Sequence, residues 1–289
     1  VRIVDRDFIE YHNLQRQTLF NEDDIKNGLP KASAAKRHLR KVNSAIVVEG
    51  IVADANYTNI ERFCRGADVI LDGLDNFETR FLINDVSLKN RIPWVYGGTL
   101  AATGMTMTII PGRTACLRCI SPVLASRQPT LTCETAGIVA TTPAIIGALQ
   151  ATEAMKIIIG AEVNRELIII DVWTDTFEHI TIAPQEDCPA CQGKYEFLEE
   201  KFVVKTSSLC GQTRGVQVVN TAVKSLDLAQ LADKLKKVGK VNYNEFMLGF
   251  ATGDHEIIVF PDGRAIIKNT LDQTLAKELY ARYIAPLSP

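Results

Sequence analysis

The sequence lacks several features that would place a protein at once in a familiar class. Its longest apolar-rich segment, residues 138–159, is interrupted by polar side chains, so no stretch is suited to span a membrane. No apolar leader opens the chain, and we therefore expect a cytoplasmic protein. The formal net charge is only −2, which leaves no general surface for polyanions and disfavours nucleic-acid binding. No G-x-G-x-x-G motif follows a predicted strand, which argues against a nicotinamide-dependent oxidoreductase.

The remaining composition is that of an ordinary globular protein, with 46% hydrophobic and 23% charged residues among 289. Up to about residue 96, segments typical of strands (1–5, 46–52, 68–72, 93–96) alternate with segments typical of helices (29–42, 56–64, 76–90). This alternation predicts a Rossmann-like, doubly wound α/β sheet that binds ligands at the carboxyl ends of its strands. Later strands at 105–110, 166–173 and 178–183, with a helix at 143–159, predict a mixed sheet with an antiparallel part.

The pattern predicts two domains. Residues 1–193 form the large α/β domain, and residues 194–289 form a small α+β domain with short strands, a hairpin and two helices. The small domain holds no dense polar cluster, and no chemistry is assigned to it. Because the chain begins within a predicted strand, we expect the first strand and Gly-rich loop of a nucleotide-binding domain to be missing from it.

Polar residues collect near the predicted strand ends in a pattern typical of a nucleotide site. An acid there can accept hydrogen bonds from ribose hydroxyls, cations can meet phosphate oxygens, and a second acid can hold a metal ion. A charged surface loop with a capped helix explains any one of these residues better, but that explanation weakens as they accumulate in order. The candidate residues are Asp5, Asp7, Asn13, Arg16, Gln17, Lys31, Asp75 and Asn76.

Two Cys-x-x-Cys pairs predict a metal site. Cys116 and Cys119 form the first pair, and Cys188 and Cys191 form the second, 69 positions beyond Cys119. Two such pairs can close a tetrahedral zinc site with no open ligand position, which is typical of a structural metal. Four reduced core cysteines, or a redox pair, remain the alternatives.

Cys133 has a different context, between the first Cys-x-x-Cys pair and the predicted long helix. If a helix starts nearby, its N-terminal dipole lowers the pKa of the thiol and favours the reactive thiolate. A small buried side chain without reactivity explains the same residue equally well.

Taken in order, these motifs resemble the ubiquitin-activating-enzyme-like superfamily. The resemblance is to the ThiF and MoeB adenylyltransferases over about residues 1–193, with a weaker likeness of the remainder to the C-terminal extension of some ThiF-like proteins. It implies ATP-dependent adenylation of the C-terminal Gly-Gly carboxylate of a ubiquitin-like sulfur-carrier protein, for thiamine or molybdopterin biosynthesis. It also implies a homodimer and, as a further partner, a sulfurtransferase. A non-catalytic, zinc-stapled binding module of the same fold is the alternative function, because the Gly-rich loop is missing.

The resemblance implies a role for each candidate residue. Asp5 and Asp7 are expected to bind the ribose of ATP. The phosphates are expected to contact Asn13, Arg16 and Lys31, with Gln17 beside them, and Asp75 is expected to position Mg²⁺ with Asn76 alongside. The four paired cysteines are expected to bind structural Zn²⁺. Cys133 matches a crossover-loop cysteine that can join covalently to the carrier, and the expected catalytic set is Asp75, Arg16 and Cys133.

Overall fold

The computed structural model describes residues 1–121, 137–199, 206–209, 215–219 and 225–284, with the side chains of 206–209 left out. The chain divides into two compact units. One unit comprises Val1–Asp54 together with Val204–Pro289, and the other comprises Ala55–Val203. Among the described residues, no helix combines the length and the apolar character needed to cross a membrane.

The first unit opens with a β–α–β crossover. Strand β1 (Arg2–Asp5) pairs in parallel with β2 (Glu49–Val52), and helix α2 (Lys31–Val42) connects them after a 3₁₀ turn (Tyr11–Asn13) and the short helix α1 (Glu22–Lys26). The buried face of α2 consists of alanines, which allows the helix to approach the strands closely. A β-carbon added at Gly50 would collide with the carbonyl oxygen of Ala32. Only glycine therefore permits this helix–strand distance.

The second unit is built on a five-stranded mixed sheet. Its elements are α3 (Ile60–Cys64), β3 (Ile70–Leu71), α4 (Phe77–Asn90), β4 (Trp94–Leu100), β5 (Thr103–Ile109), α5 (Thr141–Ile159), β6 (Leu167–Asp171) and β7 (Thr176–Ile180). The strand order is β3-β4-β5-β6-β7, in which β3 and β4 are parallel and the remaining pairs are antiparallel. Helix α5 packs on β4 and β5, where Gly97 lies against Gln150 and Gly104 lies against Ile146.

The C-terminal part of the first unit is a six-stranded antiparallel sheet with two helices. Its elements are β8 (Thr206–Leu209), β9 (Gly215–Val218), α6 (Leu228–Leu235), β10 (Lys240–Tyr243), β11 (Leu248–Thr252), β12 (His255–Val259), β13 (Ala265–Lys268) and α7 (Gln273–Tyr283). Side chains of α6 and α7 cover one face of the sheet. The other face buries Ile258, Phe260 and Ile266, and Phe8 from the segment after β1 packs against this cluster.

The predicted fold class is confirmed, because the chain combines a mixed α/β fold with a cluster of four cysteines and an antiparallel C-terminal sheet. The predicted domain boundary at residue 193 stays a prediction. In the structure, the residues up to Asp54 group with those from Val204 onward into one compact unit.

Candidate functional site

Asp5 and Asp7 lie at the carboxyl end of β1, bound to each other and to the start of α2. The backbone N–H of Asp7 donates a hydrogen bond of 2.8 Å to Oδ1 of Asp5. The backbone N–H of Lys31 donates to the carbonyl oxygen of Asp7, and its Nζ lies 3.2 Å from Oδ2 of Asp7. The strand end and the first residue of the helix therefore hold two acids and one cation together, as a ribose and phosphate site requires.

The two carboxyl groups have opposite pKa shifts. Burial and, to a smaller extent, the neighbouring Asp7 carboxylate raise the pKa of Asp5 to about 6, even though Lys31 and Arg6 act to lower it. Burial also acts to raise the pKa of Asp7, but the positive charges of Lys31 and Arg6 outweigh it and lower that pKa below its ordinary value. At pH 7 both groups are therefore mostly ionised and able to accept hydrogen bonds from hydroxyl groups.

A third acid, Asp54, belongs to the same strand-end cluster. Its Oδ1 lies 2.7 Å from Nη1 of Arg6, and Nε of Arg6 lies 3.7 Å from Oδ1 of Asp7. Sequence reasoning did not single out Arg6 or Asp54. A signal for Asp54 was present in the sequence, since it lies two residues after β2 just as Asp7 lies two residues after β1. The parallel pairing aligns Asp5 with Val52, so the two strand ends lie side by side.

Some polar side chains between Asn13 and Gln17 form hydrogen bonds within their own loop. Asn13 is buried, and its Oδ1 accepts from the backbone N–H of Glu10 at 3.0 Å, as a helix-capping residue does. Nη1 of Arg16 donates to the carbonyl oxygen of His12 at 3.0 Å, which leaves other guanidinium donors for a ligand. The buried Oε1 of Gln17 has no hydrogen-bond partner among the described residues. Asn13 thus closes the loop, whereas Arg16 and Gln17 retain hydrogen-bonding capacity.

In the other unit, Asp72 and Arg80 form a buried ion pair that shapes the loop after β3. Nε of Arg80 lies 2.9 Å from Oδ2 of Asp72, and Nη2 of Arg80 donates to the carbonyl oxygens of Leu74 and Gly97. Burial raises the pKa of Asp72, although Arg80 acts to lower it. The Asp72 carboxylate is therefore paired with Arg80, and this ion pair fixes the loop that carries Asp75.

Asp75 and Asn76 lie at the start of α4. Asn76 caps the helix, since its Oδ1 accepts from the backbone N–H of Thr79 at 2.9 Å, and its Nδ2 lies 3.2 Å from Oδ1 of Asp75. Asp75 itself is exposed. The loop thus presents one carboxylate to solvent from a rigid base, an arrangement suited to a hydrated metal ion.

The structure places the predicted nucleotide residues in two groups. Asp5, Asp7 and Lys31 are brought together within the first unit, which also contains Asn13, Arg16 and Gln17. Asp75 and Asn76 belong to the second unit. That all of them bind one nucleotide stays a prediction.

The four paired cysteines converge on one point. Their Sγ atoms all lie within 4.8 Å of one another, and three of the contacts measure 3.6 or 3.7 Å. A tetrahedral zinc–thiolate site has sulfur–sulfur distances of about 3.8 Å, whereas a disulfide bond measures about 2.05 Å. The donor set therefore fits Zn²⁺ and contains no disulfide. Cys133 lies outside the described residues.

Without an ion, these sulfur atoms suppress one another's ionisation. The hydrogen bond to Cys191 and burial raise the pKa of Cys116 far above its ordinary value, and burial raises that of Cys188 to about 11. A divalent cation reverses this penalty by binding the thiolate form. A divalent cation that prefers thiolate ligands therefore fits this donor set.

Comparison with known proteins identifies one family over most of the chain. The family model described as ThiF family matches residues 1–190. The sulfur carrier protein ThiS adenylyltransferase of Bacillus subtilis is 38% identical over 288 residues, which cover 98% of this chain and 85% of the relative. The SAMP-activating enzyme E1 of Haloferax volcanii is 34% identical over 210 residues, covering 72% of this chain and 77% of the relative.

Solved structures give the same fold. The crystal structure of E. coli MccB with ATP superposes with a TM-score of 0.57 at 24% sequence identity, covering 66% of this chain and 58% of that chain. This likeness concerns the fold alone. The family match and the Bacillus subtilis relative carry the assignment, and this chain belongs to the ThiF family.

Proposed function

We propose that this protein uses ATP to adenylate the C-terminal Gly-Gly carboxylate of a ubiquitin-like sulfur-carrier protein, in thiamine or molybdopterin biosynthesis. One observation carries the proposal above the others. The Bacillus subtilis relative, named as a ThiS adenylyltransferase, matches 98% of the chain and thus also its C-terminal sheet. That coverage favours a carrier of the ThiS type, because a relative named as a probable molybdopterin-synthase adenylyltransferase matches only 63% of this chain.

In this function the strand-end cluster binds the ribose and the phosphates. Asp5 and Asp7 accept hydrogen bonds from ribose hydroxyls, because both carboxyl groups are mostly ionised at neutral pH. Lys31 lies beside Asp7, and its ammonium group can turn toward a phosphate with little movement. Arg16, with unused donors, and the buried amide oxygen of Gln17 complete this half of the site.

The reaction requires positioning and charge neutralisation more than proton transfer. The attacking carboxylate is already ionised, so no general base is needed, and its approach to the α-phosphorus meets like-charge repulsion. Arg16 and Lys31 offset that repulsion and stabilise charge on the transferring group. Asp75, with Asn76 beside it, is the proposed ligand for the Mg²⁺ that accompanies ATP.

The cysteine cluster is proposed to hold structural Zn²⁺, because four sulfur ligands leave no position open for a substrate. Thiolate–zinc sites suit a reducing compartment, which favours the cytoplasm. A homodimer and a sulfurtransferase partner complete the proposal, with Cys133 as the residue that joins covalently to the carrier.

The proposal is tested by ATP–pyrophosphate exchange with full-length protein and a purified Gly-Gly-terminated carrier. We expect exchange that depends on carrier and Mg²⁺, and that Asp75→Asn reduces by at least about 100-fold. Asp175→Asn, which changes an exposed acid in a turn of the same unit, is the matched control and should retain wild-type exchange. If several carriers bind but none supports exchange, the protein is a binding module and not an adenylyltransferase.

A further inference from the structure

Arg264, in the C-terminal sheet, is a buried cation to which sequence reasoning assigned no role. It lies between β12 and β13, and its side chain is only 1% exposed. Its guanidinium carbon stacks 3.6 Å from the ring centroid of Phe260. Such a stacked, buried guanidinium has a fixed orientation, which suits it to hold another group in place.

The Arg264 side chain contacts the peptide group between Asp5 and Asp7. Its Nη2 donates a hydrogen bond of 2.8 Å to the carbonyl oxygen of Arg6. The N–H of the same peptide unit, which belongs to Asp7, donates to Oδ1 of Asp5 at 2.8 Å. One peptide group is therefore held on both sides, by Arg264 at its oxygen and by the Asp5 carboxylate at its nitrogen.

Fold stability alone does not account for this residue. Nε and Nη1 of Arg264 are buried without hydrogen-bond partners among the described residues, and Nε lies 3.8 Å from Oδ2 of Asp262. A buried charge with unused donors is costly to folding, and apolar side chains often replace such groups without loss of stability. The acids around it, Asp262, Asp54 and Asp7, keep the guanidinium charged although burial lowers its pKa.

Two other contacts join the same sheet to the N-terminal part of this unit but do not involve Asp5 or Asp7. Nζ of Lys268 lies 5.1 Å from the ring centroid of Phe8 and 3.8 Å from Oε1 of Glu10. Nδ2 of Asn244 donates to the carbonyl oxygen of Gly28 at 3.1 Å. Among these contacts, that of Arg264 is the one made to the peptide that orients Asp5.

We propose that Arg264 is a positioning residue for the ribose half of the nucleotide site. By fixing the Arg6–Asp7 peptide, it sets the orientation in which the Asp5 carboxylate meets a ribose hydroxyl. The C-terminal sheet thereby contributes to nucleotide recognition without touching the nucleotide. This inference rests on the proposed function, because it requires that the strand-end acids bind ribose.

The test compares nucleotides that differ in one ribose hydroxyl. Dissociation constants for ATP, 2′-deoxy-ATP and 3′-deoxy-ATP are measured calorimetrically for the wild type, Arg264→Met, Arg264→Lys and the control Lys268→Met. The wild type should bind ATP more tightly than at least one deoxy analogue. Arg264→Met should weaken ATP binding about tenfold and leave that analogue's affinity nearly unchanged, so that the preference disappears. Lys268→Met should keep the preference.

Arg264→Lys retains the charge and can still donate a hydrogen bond, but it lacks the planar guanidinium, so it should show a partial loss of the preference. This variant carries the test if Arg264→Met does not fold. An equal loss of affinity for ATP and both analogues indicates a general structural role and overturns the inference, as does a wild-type protein without preference. ATP–pyrophosphate exchange by the wild type separates a failure of this inference from a failure of the proposed function. Exchange with an unaltered preference in Arg264→Met refutes this inference alone, whereas absence of exchange refutes the proposed function and the inference with it.

Discussion

At the scale of single residues, the ionised Asp5 carboxylate destabilises the folded chain, whereas the lowered pKa of Asp7 has the opposite sign. Folding raises the pKa of Asp5 from its ordinary value of 3.8 to about 6, mainly through burial and then through Asp7. Above about pH 6 this carboxylate is ionised in both states, and its ionisation therefore lowers the free energy of unfolding. This unfavourable contribution is fully present at pH 7, shrinks as the pH falls through 6, and disappears below about pH 4.

Asp5→Asn should consequently stabilise the folded protein and weaken its binding of ATP. The amide keeps the oxygen that accepts from the Asp7 N–H, and we expect the free energy of unfolding at pH 7 to rise by about 1–2 kcal/mol. ATP affinity should fall and lose its decline between pH 7 and pH 5. Urea unfolding and calorimetric titration at several pH values measure both effects, with exposed Asp254→Asn as the control. A variant that retains the wild-type pH profile of ATP binding would remove Asp5 from the site.

Replacement of the buried Arg80 is expected to destabilise the protein. Arg80→Met leaves the buried Asp72 carboxylate without its cation and the Leu74 and Gly97 carbonyls without a donor. We expect a loss of about 3–5 kcal/mol in the free energy of unfolding, measured by urea denaturation. Lys89→Met, which breaks the exposed pair with Glu61, should cost less than about 1 kcal/mol. Comparable losses in the two variants would contradict the assigned importance of burial.

Residue-level prediction from the sequence succeeded where spacing alone defines the chemistry. Two Cys-x-x-Cys pairs led to the cluster that the structure contains. The pairing of Asp72 with Arg80 was not predicted, because it depends on burial, which leaves a carboxylate in need of a nearby cation. Arg264 went unrecognised since its partner, the Arg6 carbonyl oxygen, is 258 positions away in sequence and carries no side-chain signal.

At the scale of secondary-structure elements, close packing of α5 on the sheet depends on glycines. A β-carbon at Gly104 of β5 would lie 2.6 Å from Cγ1 of Ile146, so the strand and the helix approach closer than alanine permits. Gly147, one residue after Ile146 on the same helix, is exposed and has no atom within 4 Å of an added β-carbon. Gly104 is thus needed for the close packing of α5, whereas Gly147 is not.

Alanine substitution should separate these two glycines. Gly104→Ala is expected to lower the free energy of unfolding by about 1–3 kcal/mol through overpacking. Gly147→Ala is expected to raise it by up to about 1 kcal/mol, because alanine favours the helical conformation. Both are measured by urea denaturation, and Gly104→Ala should cost less in an Ile146→Ala background than in the wild type, because the shorter side chain removes the clash. A neutral Gly104→Ala would show that α5 can move away from the sheet.

Elements with long, periodic patterns were predictable, and short edge strands were not. The prediction of a helix at 143–159 corresponds to α5, Thr141–Ile159, and the predicted segment 29–42 contains α2, Lys31–Val42. Strand β10 was missed because its four residues are mostly exposed and lack a buried face. Its strand conformation comes from hydrogen bonds to β11, which a local pattern does not reveal.

At the scale of the whole molecule, contacts between distant parts of the sequence complete each unit. The cysteine cluster joins a loop near residue 116 to one near residue 188, and the C-terminal sheet contacts the segment after β1. A metal that closes so long a loop constrains the unfolded chain strongly.

Zinc removal should therefore destabilise the protein as a whole. We expect about one zinc ion per chain by elemental analysis, and a clear fall in Tm when Cys188→Ser abolishes binding. Cys64→Ser, which changes a buried cysteine outside the cluster, should keep the zinc even though it costs some stability. A folded wild-type protein without metal at unchanged Tm would refute the assignment.

The sequence by itself determined the fold class, the family and the cysteine cluster, because hydrophobic period and motif spacing are local properties of the chain. The tertiary structure decided which polar groups serve the fold and which stay available. It pairs Asp72 with Arg80, closes a loop with Asn13, and sets Arg264 against the peptide beside Asp5. Those partnerships depend on burial and on distances between residues far apart in sequence, and both arise only when the chain is folded.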